Sequence, residues 1–142
     1  MKEQNFKNHV QLVTGYHRVT LVGILLFLVA SVNYLIKSTP ENKYLASMLF
    51  LLSLVIVLMA WYLRIFALKA QDRAIRAEEN LRHFVLTGKL FPSQLRMGQI
   101  IALRFAPDAE FLGLVEKAVK ENLSNKDIKL AIQNWKADFD RV

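Results

Sequence analysis

The chain has no cysteine. That excludes disulfides, thiolate nucleophiles, iron–sulfur clusters and cysteine-ligated zinc together, and leaves the redox compartment open. Histidine is scarce: His9, His17 and His83 are the only ones. None has metal-ligand spacing to another or to a carboxylate on the same helix face, so no metal site is expected and interfacial hydrogen bonding is the use read for them. The five glycines are scattered, with no P-loop, no dinucleotide fingerprint and no nucleophile elbow. No catalytic residue and no cofactor is therefore expected, and the chain reads as non-enzymatic. Its 142 residues leave room for one small domain at most beside any membrane segment.

Charge is missing from two long stretches. Residues 19–36, bracketed by Arg18 and Lys37, run 18 residues without one, about 27 Å as a helix. Residues 44–63, between Lys43 and Arg64, run 20, about 30 Å. Both lengths suit a bilayer core, and the absence of any ionisable group within them argues against ion-coupled transport through one pair of spans. A domain this small cannot wrap two fully apolar helices, which sets aside a soluble core as their place. The first run is longer than the apolar core of a signal peptide and no A-x-A-like site follows it, so it is read as a retained span. The connector of residues 37–43 is short and carries Pro40, which favours a turn and makes the spans antiparallel neighbours.

What charge there is sits beside these runs. Residues 1–106 carry 13 Lys/Arg against 5 Asp/Glu, whereas residues 107–142 carry 6 against 7. Lys2, Lys7 and Arg18 precede the first span and Arg64, Lys69, Arg73, Arg76 and Arg82 follow the second, against Lys37 and Lys43 in the connector. The positive-inside rule then places both termini in the cytoplasm. Tyr34 and Tyr44 would anchor the outer interface, and Tyr16, Trp61 and Tyr62 the inner one. Arg18, Arg64 and Lys69 are the residues expected to hold lipid headgroups, at roughly 1 kcal/mol each near an anionic surface. Within residues 1–18, Phe6, Val10 and Val13 recur at helical spacing, which suits a short interfacial helix ended by Gly15; a frayed tail is the alternative.

Neither glycine nor proline interrupts residues 44–87. The second span is therefore expected to continue into the cytoplasm over residues 64–88, about 36 Å past the bilayer, until Gly88 stops it. One face of this helix reads Ala60, Leu63, Ala67, Ala70, Ala74, Ala77, Leu81, Phe84, a heptad seam made mostly of alanine. Small seams let backbones approach closely. Ala60, Ala67, Ala70, Ala74, Ala77 and Leu81 are read as a self-association seam, with packing on the same chain's C-terminal domain as the alternative. The polar span residues Thr20, Ser31, Asn33, Ser47 and Ser53 suit interhelical hydrogen bonding, or the lining of a pore in an oligomer.

Residues 89–142 read as a small cytoplasmic domain of three short helices, near 93–105, 108–122 and 125–136. Ser124 is a good N-cap with Asp127 placed to return a bond. The middle helix shows a stripe of Leu112, Val115, Val119 and Leu123, and the last one of Ile128, Ala131, Ile132 and Trp135. A helix-turn-helix reading fails on charge, since the last helix is nearly neutral and Asp127, Asp138 and Asp140 would meet phosphates; no nucleic-acid partner is expected.

The segments QNFKNH at 4–9, QDRAIRAEENLR at 71–82, ALRFA at 102–106 and IKLAIQNW at 128–135 resemble an uncharacterised family of short bacterial two-span membrane proteins. The resemblance implies a bacterial plasma membrane and carries no catalytic residues. In and beside these segments Asp72, Arg73, Arg76, Glu79, Arg104, Asp108 and Trp135, together with Glu78 and Arg82, suggest a polar network that docks the terminal domain on the long helix. The expected fold class is an all-α membrane protein: a transmembrane helical hairpin (19–63), its second helix extended into the cytoplasm, and a small three-helix domain. The expected role is that of an oligomeric inner-membrane scaffold or regulatory protein, with membrane lipids, further copies of itself and a cytoplasmic protein as partners. A pore assembled from several hairpins is the alternative.

Overall fold

A computed structural model describes residues 4–10 and 12–139. Helix is the only regular structure among them: no residue lies in a strand. The elements are α1 (Leu21–Lys37), preceded directly by a π-helical turn (Gly15–Thr20), a 3₁₀ turn (Pro40–Asn42), α2 (Lys43–Thr87), α3 (Met97–Leu103), α4 (Asp108–Lys120) and α5 (Asn125–Ala131). The chain divides into an apolar unit, Leu12–Ala67, and a terminal unit in which Met1–Gln11 joins Leu68–Val142.

Two helical stretches, Gly15–Lys37 and Pro40–Thr87, are long and apolar enough to cross a membrane, and their most apolar parts are only 6% and 11% buried. Ser31 and Ser53 meet between α1 and α2. The Ser31 hydroxyl lies 3.0 Å from that of Ser53, and each also reaches the carbonyl three residues before it, Leu28 and Phe50. Such bonds satisfy hydroxyls that are buried among apolar side chains. At one end of the pair the Tyr16 hydroxyl donates to the Ala60 carbonyl at 2.7 Å, and at the other Lys43 Nζ donates to the Leu35 carbonyl at 2.8 Å.

Gly15 does not break a helix; it opens one. The Thr20 hydroxyl donates to the Gly15 carbonyl at 3.0 Å, five residues back, the span of a π turn. Residues 4–10 form a turn instead of the amphipathic helix that Phe6, Val10 and Val13 suggest. The reason lies in the asparagines. Asn8 Oδ1 accepts from the Asn5 amide at 2.6 Å and Asn5 Oδ1 from the Lys7 amide at 2.9 Å, so side chains satisfy the donors that a helix would use.

The terminal unit is built on a core of Ile75 from α2, Leu95, Ile100, Ala102, Leu103, Phe105 and Ala106 from α3 and its flanks, Phe111, Leu114, Val115 and Ala118 from α4, and Ile128 and Ile132 from α5 and its end. The face α4 buries is set by Phe111 and Ala118 as well as Val115, while Leu112, Val119 and Leu123 pack at its edge. Helix α2 ends where Gly88 takes φ +71° and its amide bonds the Phe84 carbonyl at 2.7 Å, a left-handed turn that costs glycine little. Ser124 caps α5: its Oγ accepts from the Asp127 amide at 3.2 Å and donates to the Asp127 carboxylate at 2.6 Å. The Ser124 hydroxyl and then its amide hold the Asp127 pKa below the ordinary carboxylate range.

Candidate functional site

Helix α5 is shorter than its apolar periodicity implies, and the cause leads into the site. Its C-cap Ile132 is extended. The next two amides turn to the first turn of α4, where Glu110 Oε2 accepts from the Gln133 amide at 2.9 Å and Oε1 accepts from the Asn134 amide and side-chain amide at 2.9 and 2.8 Å. These donors, the Gln133 amide foremost and Asn134 after it, lower the Glu110 pKa. A carboxylate held low contributes stability that is complete above its unfolded value and is lost as the pH falls through the folded one. Glu110→Gln is therefore expected to destabilise the terminal unit at neutral pH, by at most about 1 kcal/mol for a half-buried group that solvent still screens. It is also expected to flatten the midpoint's fall between about pH 5 and pH 2. An unchanged acid limb would rule out this role.

Past Asn134 the chain reaches Phe105, whose carbonyl accepts from the Lys136 amide at 2.8 Å. Trp135 lies against the Phe105 ring at 4.9 Å between centroids, and His9 meets both, at 5.9 Å from Phe105 and 5.7 Å from Trp135. The chemistry of its partners fixes the His9 tautomer. Nδ1 lies 2.7 Å from the Phe6 carbonyl and must donate to it; Nε2 lies 3.1 Å from Lys129 Nζ and must accept. Gln4 closes the arrangement by pairing with the backbone of Asp138, its Oε1 accepting from the amide at 2.8 Å and its Nε2 donating to the carbonyl at 3.3 Å. The segment before the first apolar helix is thereby tied to the chain's last described residues. The Asp138 carboxylate in turn pairs with Arg104 at 3.0 Å.

A second anchor centres on Arg82. Its guanidinium pairs with Glu79 at 3.0 Å and with Asp108, donates to the Ala106 carbonyl at 2.8 Å, and lies 4.2 Å over the Phe111 ring. Both Glu79 and Arg82 are well covered, with side chains 8% and 13% exposed, while Asp108 is 69% exposed. Beside Arg82 on α2, His83 Nδ1 donates to the Lys89 carbonyl at 2.7 Å, and Asn80 Oδ1 accepts from the Phe91 amide at 2.8 Å, folding residues 89–91 back along α2. Buried Gln99 joins α3 to the end of α4 through the Leu123 carbonyl, 2.9 Å away.

Of the expected docking residues, Glu79, Arg104, Asp108 and Trp135 are brought into these contacts, Asp72 is half-buried, and Arg73 and Arg76 are exposed. Glu79 and Arg104 also wall a cleft of about 430 Å³ with Ala74, Ile75 and Asp138. The face that α2 turns to the core is Ile75, Glu79 and His83, so the alanine seam does not pack on the C-terminal helices. Ala70, Ala74, Ala77 and Leu81 are exposed, and Ala60 and Ala67 are half-buried in the apolar unit. Arg18 and Lys69 are exposed and Arg64 is half-buried. Sequence reasoning missed Gln4, His9 and Gln99 as structural contacts. No periodicity marks them, because none acts through the face of a regular amphipathic helix.

The fold and this site define an all-helical protein with two helices long and apolar enough to cross a membrane. The chain belongs to a family of unknown function, DUF6526, whose model matches residues 1–142. No curated protein and no solved structure matches it.

Proposed function

We propose that this protein is a non-enzymatic, two-span inner-membrane scaffold or regulatory protein that presents its terminal unit, with the C-terminal three-helix domain, to a cytoplasmic protein partner. The observation that carries this reading is the tie between Gln4, His9 and the Phe105–Trp135–Asp138 region. Chain entering and chain leaving the apolar unit belong to one folded body, which suits an even number of crossings, and the excess of Lys/Arg at that end supports a cytoplasmic side for it. The nearly unburied apolar windows supply a surface that lipid would cover. Self-association is supported by the exposed seam of Ala70, Ala77 and Leu81, the last 63% exposed, since a long helix with a bare apolar stripe gains by pairing with a copy of itself. The pore reading draws on Asn33 and Ser47, which are exposed; Ser31 and Ser53, committed to one another, give it nothing.

The cysteine-free chain suits accessibility labelling. Single cysteines at the exposed positions Lys7, Glu41 and Lys117 are expected to react with a membrane-impermeant maleimide on intact cells at position 41 alone, and at the other two only after permeabilisation. Labelling of positions 7 and 117 from opposite sides would end the two-span reading. In nanodiscs, native mass spectrometry is expected to find more than one copy per particle, and Leu81→Lys to shift the population to monomer. A monomeric wild type would remove both self-association and the pore.

A further inference from the structure

Within Leu12–Ala67 the only acidic residue is Glu41, in the connector between the two helices. The other end of the apolar unit carries His17, Arg18 and Arg64 with no carboxylate among them. There the π turn sets Tyr16 against α2, its hydroxyl on the Ala60 carbonyl. Because residue 60 is only an alanine, a cleft of about 480 Å³ remains beside it, walled by Leu21, Ile24, Val57, Leu58 and Trp61. Arg64 and His17 also line it. His17 uses Nδ1 on the backbone of Val13, 3.1 Å away. Arg64 is half-buried and takes part in no ion pair among the described residues.

We infer that this cleft binds one anionic phospholipid of the cytoplasmic leaflet, an acyl chain lying along the apolar walls and the phosphodiester on the Arg64 guanidinium. The inference rests on the two-span reading. The walls open onto an apolar surface, with Leu21 and Leu58 about half exposed and Trp61 67% exposed, so a lipid is the occupant within reach. The unopposed guanidinium selects the charge. A guanidinium offers a planar pair of donors to phosphate oxygens, and basic pockets between spans on the cytoplasmic side are where anionic headgroups settle. Trp61 and Tyr16 have the amphipathic rings that favour headgroup depth. The site is made by one chain alone, which gives it a stoichiometry of one lipid per copy.

The test is native mass spectrometry of the full chain in detergent, titrated with phosphatidylglycerol or with phosphatidylcholine. The wild type is expected to retain one phosphatidylglycerol per chain with at least about tenfold preference over phosphatidylcholine, whose choline cation offsets the phosphodiester charge that the Arg64 guanidinium selects. Arg64→Gln should abolish the preference, Arg64→Lys should keep part of it, and Ala60→Phe, which fills the cleft and spares the charge, should also lower retention. Lys37→Gln, exposed in the connector at the other end of the apolar unit, should change nothing. Equal retention of the two lipids by the wild type, or full preference in Arg64→Gln, would overturn the site. Alkaline carbonate treatment separates this failure from that of the two-span reading: a chain that resists extraction yet shows no preference loses only the lipid site, and one that is extracted loses both.

Discussion

Replacing Arg82 with alanine is expected to destabilise the terminal unit by about 3 kcal/mol, because it strands a covered carboxylate. Glu79, with 8% of its side chain exposed, has Arg82 as its ion-pair partner, and removing one member of a desolvated pair costs more than the pair contributes. The arm to Asp108 adds little, since that carboxylate is in water. Loss of the bond to the Ala106 carbonyl and of the stacking over Phe111 adds to the effect. Glu79→Gln is the control: it removes the charge instead of isolating it, and should cost markedly less. Denaturant unfolding of the full chain, followed by Trp135 fluorescence in a Trp61→Phe background, reads both variants. Equal costs would mean that Arg82 acts by packing alone.

Phe105→Ala should have an effect of similar size, about 3–5 kcal/mol for a buried aromatic. Phe105 is fully buried, and its removal takes away the surface on which both His9 and Trp135 rest. The loss should therefore appear in two places at once. Trp135 emission should shift to the red, and amides of residues 4–10 should exchange faster with solvent, because the N-terminal segment loses its aromatic support. Gln4→Ala should speed that exchange alone, as its two bonds to Asp138 lie outside the core. Fast exchange at residues 4–10 already in the wild type would remove the tie on which the proposed topology depends.

The parts of this architecture that could be read in advance are those written in local signals. The two charge-free runs are properties of continuous segments, and the stop at Gly88 and the Ser124–Asp127 cap each depend on residues within a turn or two of one another. Helix ends set by distant partners were misread for the same reason. Nothing near Gln133 says that its amide will bond Glu110 and end α5, and nothing near Asn122, which takes φ +49° past the end of α4, required the helix to stop there. Two stripes run along α2, one of alanines and one of Ile75, Glu79 and His83, and periodicity leaves open which of them the C-terminal helices cover. Glu79 and His83 can be buried because Arg82 and the Lys89 carbonyl, respectively, satisfy them, which leaves the alanines free to face outward.

The sequence by itself determined an all-helical chain with two helices fit for a bilayer and a polar C-terminal part, because length, hydropathy and charge are properties of segments. Only the tertiary structure decided that Gln4 and His9 belong with Phe105, Trp135 and Asp138, and that the alanine seam lies bare. The first depends on groups that meet across more than a hundred residues of chain, and the second on which polar groups along α2 find partners; a hydrogen bond or stacked ring of either kind leaves no period in the sequence to read.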